Sequence, residues 1–171
     1  MITAALAPAP QEAPVPLPAS RWQEHWRQAI RDPAQLLAGL GLEAADLGVS
    51  AQALAQFPLR VPRGFAARMR PRDAADPLLR QVLPVDAEMQ VVPGFSFDAV
   101  GDGAAKKATG VIQKYRGRAL LVATGSCAIN CRYCFRRHFP YADETAARDG
   151  WREAIALIRD DVSVEEVLLS G

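Results

Sequence analysis

The chain has 171 residues, with 20 basic against 19 acidic groups and a formal charge of +1; half of it is hydrophobic. That composition is globular and excludes a collagenous, coiled-coil or wholly disordered chain. No apolar run approaches the ~20 residues that a membrane helix needs, and the near-neutral charge disfavours a general nucleic-acid surface.

Residues 1–20 hold Pro8, Pro10, Pro14, Pro16 and Pro18 among alanines, with no basic start and no sustained apolar core. This predicts an extended, disordered tail rather than a secretory signal. From Arg21 to Leu42 the residues Trp22, Trp26, Ile30, Leu36, Leu37 and Leu40 recur at helical spacing around a break at Pro33, and Gly39 and Gly41 close the run. Ser50 is placed to cap a second helix with Ala51, Leu54 and Phe57 inward. Phe65–Met69 reads as one or two helical turns. Asp76-Pro77 opens another short helix by a capping carboxylate and a proline at the first helical position. Residues 21–117 are therefore expected to form a helical layer. Within it Val85–Gly117 is read as irregular, punctuated by Pro93, Gly94, Gly101, Gly103 and Gly110.

Ala119–Thr124 is a short continuous apolar run, which suits a strand buried on both faces in a parallel sheet. Asp149 is placed to cap a helix facing inward through Trp151, Ala154, Ile155 and Ile158, and Val162–Leu169 supplies a second buried strand. Residues 118–171 thus read as one βαβ unit. A lone unit leaves its sheet uncovered, so a truncated chain is expected, with further units after Gly171.

The loop between strand and helix carries Cys127, Cys131 and Cys134 at C-x3-C-x2-C spacing. Three thiols in eight residues make poor disulfide arithmetic and good metal-ligand arithmetic, and suit a reducing cytoplasm. Thiolates favour zinc or an iron–sulfur cluster. A closed zinc site wants a fourth ligand, for which His138 is the nearby candidate; a [4Fe–4S] cube on three cysteines leaves one iron open. From Gly103 to Ala142 there is no Asp or Glu, while Lys106, Lys107, Lys114, Arg116, Arg118, Arg132, Arg136 and Arg137 fall inside that window. Such a stretch suits phosphate or carboxylate ligands. Only Tyr133, Phe135 and Phe139 are placed to stack on bases, which disfavours nucleic acid.

C-x3-C-x2-C with Tyr133 before the last cysteine resembles the radical S-adenosylmethionine enzymes. Lys114-Tyr115-Arg116-Gly117-Arg118, the run CAINCRYCFRRHFPY from Cys127 to Tyr141 and the Leu-Leu-Ser-Gly ending resemble the lysine 2,3-aminomutase family. Arg80–Pro84 and Pro93-Gly94-Phe95 are similar to its branch that makes β-lysine for elongation factor P. The resemblance implies the α/β fold of a partial (β/α) radical S-adenosylmethionine barrel, here its first βαβ unit behind the helical layer. It implies a [4Fe–4S] cluster on Cys127, Cys131 and Cys134, with S-adenosylmethionine chelated at the open iron, Tyr133 against its adenosyl part and Ser170-Gly171 meeting its methionine amino group. Pyridoxal 5′-phosphate is implied as well, its phosphate held by Arg118 and Lys114, with Arg136 gripping the substrate carboxylate. Lys114 departs from the arginine of the free-lysine enzymes. No catalytic residue is expected within the chain, since the pyridoxal lysine and the acids that bind the substrate amine lie beyond Gly171 in the family; the chain alone is therefore expected to be inactive. Lysine, the lysyl-transfer enzyme of the elongation factor P pathway and a reductant such as flavodoxin or ferredoxin are the implied partners, with no membrane and no direct nucleic acid. A free-lysine 2,3-aminomutase and a non-catalytic zinc module are the alternatives.

Overall fold

The computed structural model describes residues 21–144 and 150–170. The expected tail over residues 1–20, the Asp149 cap and Gly171 lie outside the described residues.

Five short helices come first: α1 (Trp22–Arg27), α2 (Pro33–Leu40), α3 (Ala51–Gln56), α4 (Arg63–Ala66) and α5 (Pro77–Arg80). Local cap chemistry sets their limits. Asp32 accepts from the Ala34 N–H and precedes Pro33, and α2 stops at Gly41, whose φ of 66° is left-handed. Ser50 accepts from the Ala53 N–H at the start of α3, and Asp76 takes the N–H groups of Leu78 and Leu79 before α5. The layer closes over Ile30, Leu36, Leu37, Leu40, Leu59, Val61, Met69, Leu79, Val82 and Leu83. Two isolated bridges, Ile30 to Val61 and Val49 to Val85, tie its loops together. In α3 the buried residue is Ala53, not Ala51, which is exposed. The buried Ser50 cap sets that helix so that Ala53 and Phe57, four residues apart, share the inner side.

The second part is a four-stranded mixed sheet in the order β1 (Lys106–Ala108), β2 (Val111–Tyr115), β3 (Arg118–Val122), β4 (Glu166–Ser170). β1–β2 and β2–β3 are antiparallel. β3–β4 is parallel, with Leu120 opposite Leu168 and Val122 opposite Ser170. Strands β1 and β2 fall in a stretch that reads as irregular in the sequence. Val111 and Ile112 are their only strongly buried apolar pair, and the turn at Gly117 (φ 76°) folds β2 back onto β3. The connection from β3 to β4 contains α6 (Tyr141–Glu144) and α7 (Arg152–Asp160). Helix α7 packs through Ala154, Leu157 and Ile158 with Trp151 onto Val111 and Leu121. Leu157 takes the place expected of Ile155, which is 55% exposed; positions 154, 157 and 158 are the i, i+3, i+4 stripe of one helical face.

β4 differs from the buried strand expected of it. Val167, Leu168 and Leu169 are exposed, and β4 is the edge of the sheet among the described residues. No helix among the described residues is long and apolar enough to cross a membrane.

Candidate functional site

The cysteine loop leaves the carboxyl end of β3, where Ala123 donates to the Ser170 carbonyl at 2.7 Å. Its path is fixed by the helical layer. Ile129 packs on the buried helical core. The Asn130 N–H bonds the Arg60 carbonyl at 3.1 Å, and the Asn130 side chain donates to Pro58 at 2.8 Å. The Arg132 N–H bonds the Gln81 carbonyl at 2.7 Å. The Cys127 carbonyl accepts from Trp26 Nε1 at 3.3 Å and from Arg60 at 3.4 Å, and the Arg60 guanidinium stacks 4.2 Å from the Trp26 ring. Gly125 is required where the chain enters the loop: a Cβ there would lie 2.6 Å from Cβ of Tyr141.

Cys127 is exposed, Cys131 and Cys134 are partly buried, and all three are free thiols. Burial and the neighbouring charges of Cys134 and Cys127 push the Cys131 thiol above its ordinary value. Repulsion among thiolates is what a bound cation relieves. Cys127 and Cys134 line a cleft of about 430 Å³ with Arg31, Arg60, Arg136 and Tyr141. Among the described residues no three His, Cys, Asp or Glu side chains stand together as a group that could hold a metal ion. The donor chemistry nevertheless fits an anionic thiolate-held group. Arg60 Nε is buried without a hydrogen-bond partner among the described residues, and burial followed by the Arg31 charge lowers the Arg60 pKa while Cys127 opposes them. His138 faces elsewhere. Its ring meets Phe97 edge-on at 4.6 Å and lines a separate cleft with Lys106 and Glu144. Partial burial and the Arg137 charge hold its pKa below the usual value.

Lys114, Arg118 and Arg136 line one further cleft of about 430 Å³ with Asp102, Tyr115 and Phe135. Asp102 organises it. Its side chain is 4% exposed, with Lys114 Nζ at 2.5 Å and Arg136 Nε at 2.7 Å. Burial pushes the Asp102 carboxyl up, but hydrogen bonds from Lys114 and Arg136 and their charges outweigh it and hold it below the usual carboxylate range. Arg136 also donates to Ser170 Oγ at 2.8 Å, so β4 and the cysteine loop meet at this side chain. Arg118 pairs with Glu166. Three cations lining one open cleft fit a phosphate or carboxylate ligand. Tyr133 is 71% exposed, and its hydroxyl lies 3.3 Å from Gln81 Oε1. Asp102 escapes sequence reasoning although it stands immediately before the acid-free window, which was its one signal. Trp26 carries no local signal for its contact with the loop.

A helical layer on a mixed four-stranded sheet, with a three-thiol loop at the end of a parallel strand beside a cationic cleft, is what the fold and site define. The chain is 40% identical over 153 residues to the L-lysine 2,3-aminomutase of Escherichia coli, covering 88% of this chain and 44% of that protein. It is also 40% identical over 162 residues to the L-lysine 2,3-aminomutase of Haemophilus influenzae, covering 95% and 48%. Against the enzyme of that name from Clostridium subterminale it is 27% identical over 152 residues, covering 88% and 36%. These similarities support the lysine aminomutase family. The chain spans about half the length of these two curated relatives from Escherichia coli and Haemophilus influenzae. No family model matches it.

Proposed function

We propose that the chain carries the cluster- and cofactor-binding part of a radical S-adenosylmethionine lysine 2,3-aminomutase, of the branch that makes β-lysine for elongation factor P. The carrying observation is the placement of two sets of groups: the Cys127–Cys134 loop at the end of β3, and Lys114, Arg118 and Arg136 in the cleft beside it. The 40% identity to two bacterial proteins of that name supports the same reading. In it the sheet and α7 begin a partial (β/α) barrel, whose chemistry sits at the carboxyl ends of its strands.

When bound, the cluster and S-adenosylmethionine supply radical chemistry, and pyridoxal phosphate supplies a carrier for the migrating amino group. The chain's own work is binding and orientation. Cys127, Cys131 and Cys134 hold the iron. Ser170-Gly171 and Tyr133 receive S-adenosylmethionine. Arg118 and Lys114 neutralise the pyridoxal phosphate group. Arg136 meets the substrate carboxylate through a planar fork that Asp102 and Ser170 keep from rotating. Lysine, the lysyl-transfer enzyme of the elongation factor P pathway and a low-potential donor such as flavodoxin or ferredoxin are the partners in this reading.

Anaerobic reconstitution with iron and sulfide tests it. The expected result is a brown protein whose electron spin resonance signal changes when S-adenosylmethionine is added. Colourless protein that binds zinc, or a cluster indifferent to S-adenosylmethionine, overturns it.

A further inference from the structure

Arg132 and Arg137 flank the last cysteine, and both turn away from the cationic cleft onto one carboxylate. The Arg132 side chain, in a residue 7% exposed, donates from Nε to both oxygens of Glu88 at 3.0 Å. Its terminal nitrogens reach Glu88 Oε2 at 2.6 Å and the carbonyls of Phe57 and Ala53 at 2.5 and 3.0 Å. Arg137 shares the same Oε2 at 2.6 Å and donates to the Arg132 carbonyl at 3.1 Å. The Phe57 ring lies 5.3 Å from one guanidinium and 5.7 Å from the other. The Glu88 and Arg137 side chains are each 12% exposed. Nε and one terminal nitrogen of Arg137 are buried with no hydrogen-bond partner among the described residues.

The charge count of this knot does not close. A guanidinium stays protonated in proteins, so two of them against one carboxylate leave one positive charge buried. Buried charge is costly unless it is compensated. Both arginines neighbour the thiols in the sequence: Arg132 lies between Cys131 and Cys134, and Arg137 stands three residues after Cys134. A knot needed only as a clamp would be complete with Arg132 and Glu88, whose fork is already bidentate. The second guanidinium adds charge and leaves two donors unspent.

Building on the cluster reading above, we infer that Arg132, Glu88 and Arg137 form a cationic base beneath the cysteine loop that raises the reduction potential of the thiolate-held cluster. An added electron makes that group more negative, and fixed positive charge nearby favours the reduced form. Glu88 is then the moderating residue and Arg137 the dominant one. Both are positioning and charge-balancing residues, not catalytic ones.

The test is a mediated redox titration of the anaerobically reconstituted full chain, followed by electron spin resonance with dithionite as reductant. Glu88→Gln shifts the midpoint to more positive potential, Arg137→Gln shifts it to more negative potential, and Arg137→Lys, which keeps the charge and removes the fork, stays near wild type. The opposite signs are the signature, because a knot that only braces the loop moves Glu88→Gln and Arg137→Gln in the same direction or not at all. Either of those results overturns the inference while leaving the cluster reading intact. A wild-type chain that takes up no iron defeats the cluster reading and this inference together.

Discussion

Replacing Asp102 by asparagine leaves Lys114 and Arg136 facing each other across a neutral amide. The side chain is nearly isosteric, so the loss is electrostatic. The Asp102 side chain is 4% exposed, that of Arg136 10% and that of Lys114 24%. Removing one partner of a buried ion pair typically costs about 3–5 kcal/mol. Lys114 is close enough to water to recover part of its hydration, which puts the expected loss at about 3 kcal/mol, the lower end of that range. With a urea dependence of ~2 kcal/mol per molar, the unfolding midpoint falls by about 1.5 M. The pH dependence gives an independent check. The Asp102 carboxyl is held below its ordinary value when folded, so its contribution is complete above the unfolded value near 3.9 and is lost as the pH falls through the folded one. The difference between wild type and Asp102→Asn is therefore constant at neutral pH and shrinks below about pH 4. A loss under ~1 kcal/mol at pH 7 would refute the reasoning, showing that both cations already draw their stability from water.

Three further substitutions probe the local geometry. Gly125→Ala drives a Cβ to within 2.6 Å of Tyr141 Cβ and is expected to cost ~1–3 kcal/mol by overpacking, read from the unfolding midpoint; in a Tyr141→Gly background, which lacks that Cβ, the same substitution should cost less. Ser50→Ala removes the acceptor of the Ala53 N–H and should lower stability by ~1 kcal/mol in urea unfolding, with Ser50→Asp close to wild type. On the proposed aminomutase reading, Arg136→Lys in the active enzyme should raise the KM for lysine more than it lowers kcat, since a point charge replaces a bidentate fork.

What was legible in the sequence is the part written in local chemistry. The break at Pro33 with Gly41 closing the run, the Ser50 cap and Asp76-Pro77 are signals of this kind, and each coincides with a helix limit in the structure. β1 and β2 were not legible, because Val111-Ile112 is too short a run to separate from a loop until β3 is beside it. The inward face of α7 was misread by one position, and only the packing of Ala154, Leu157 and Ile158 against Val111 and Leu121 decides it. At the site, the resemblance named Lys114, Arg118 and Arg136, which the fold brings into one cleft. It did not name Asp102 or Glu88, because the ion pairs they make span 12 to 49 positions of sequence and no periodicity marks them.

Ile129 ends its side chain among the helices, although it belongs to the segment that carries the thiols. The two parts of the molecule are joined there by a plug rather than a hinge. Melting the helical layer must pull that plug, so the segment that carries the thiols should lose its order on the same temperature curve as the helices.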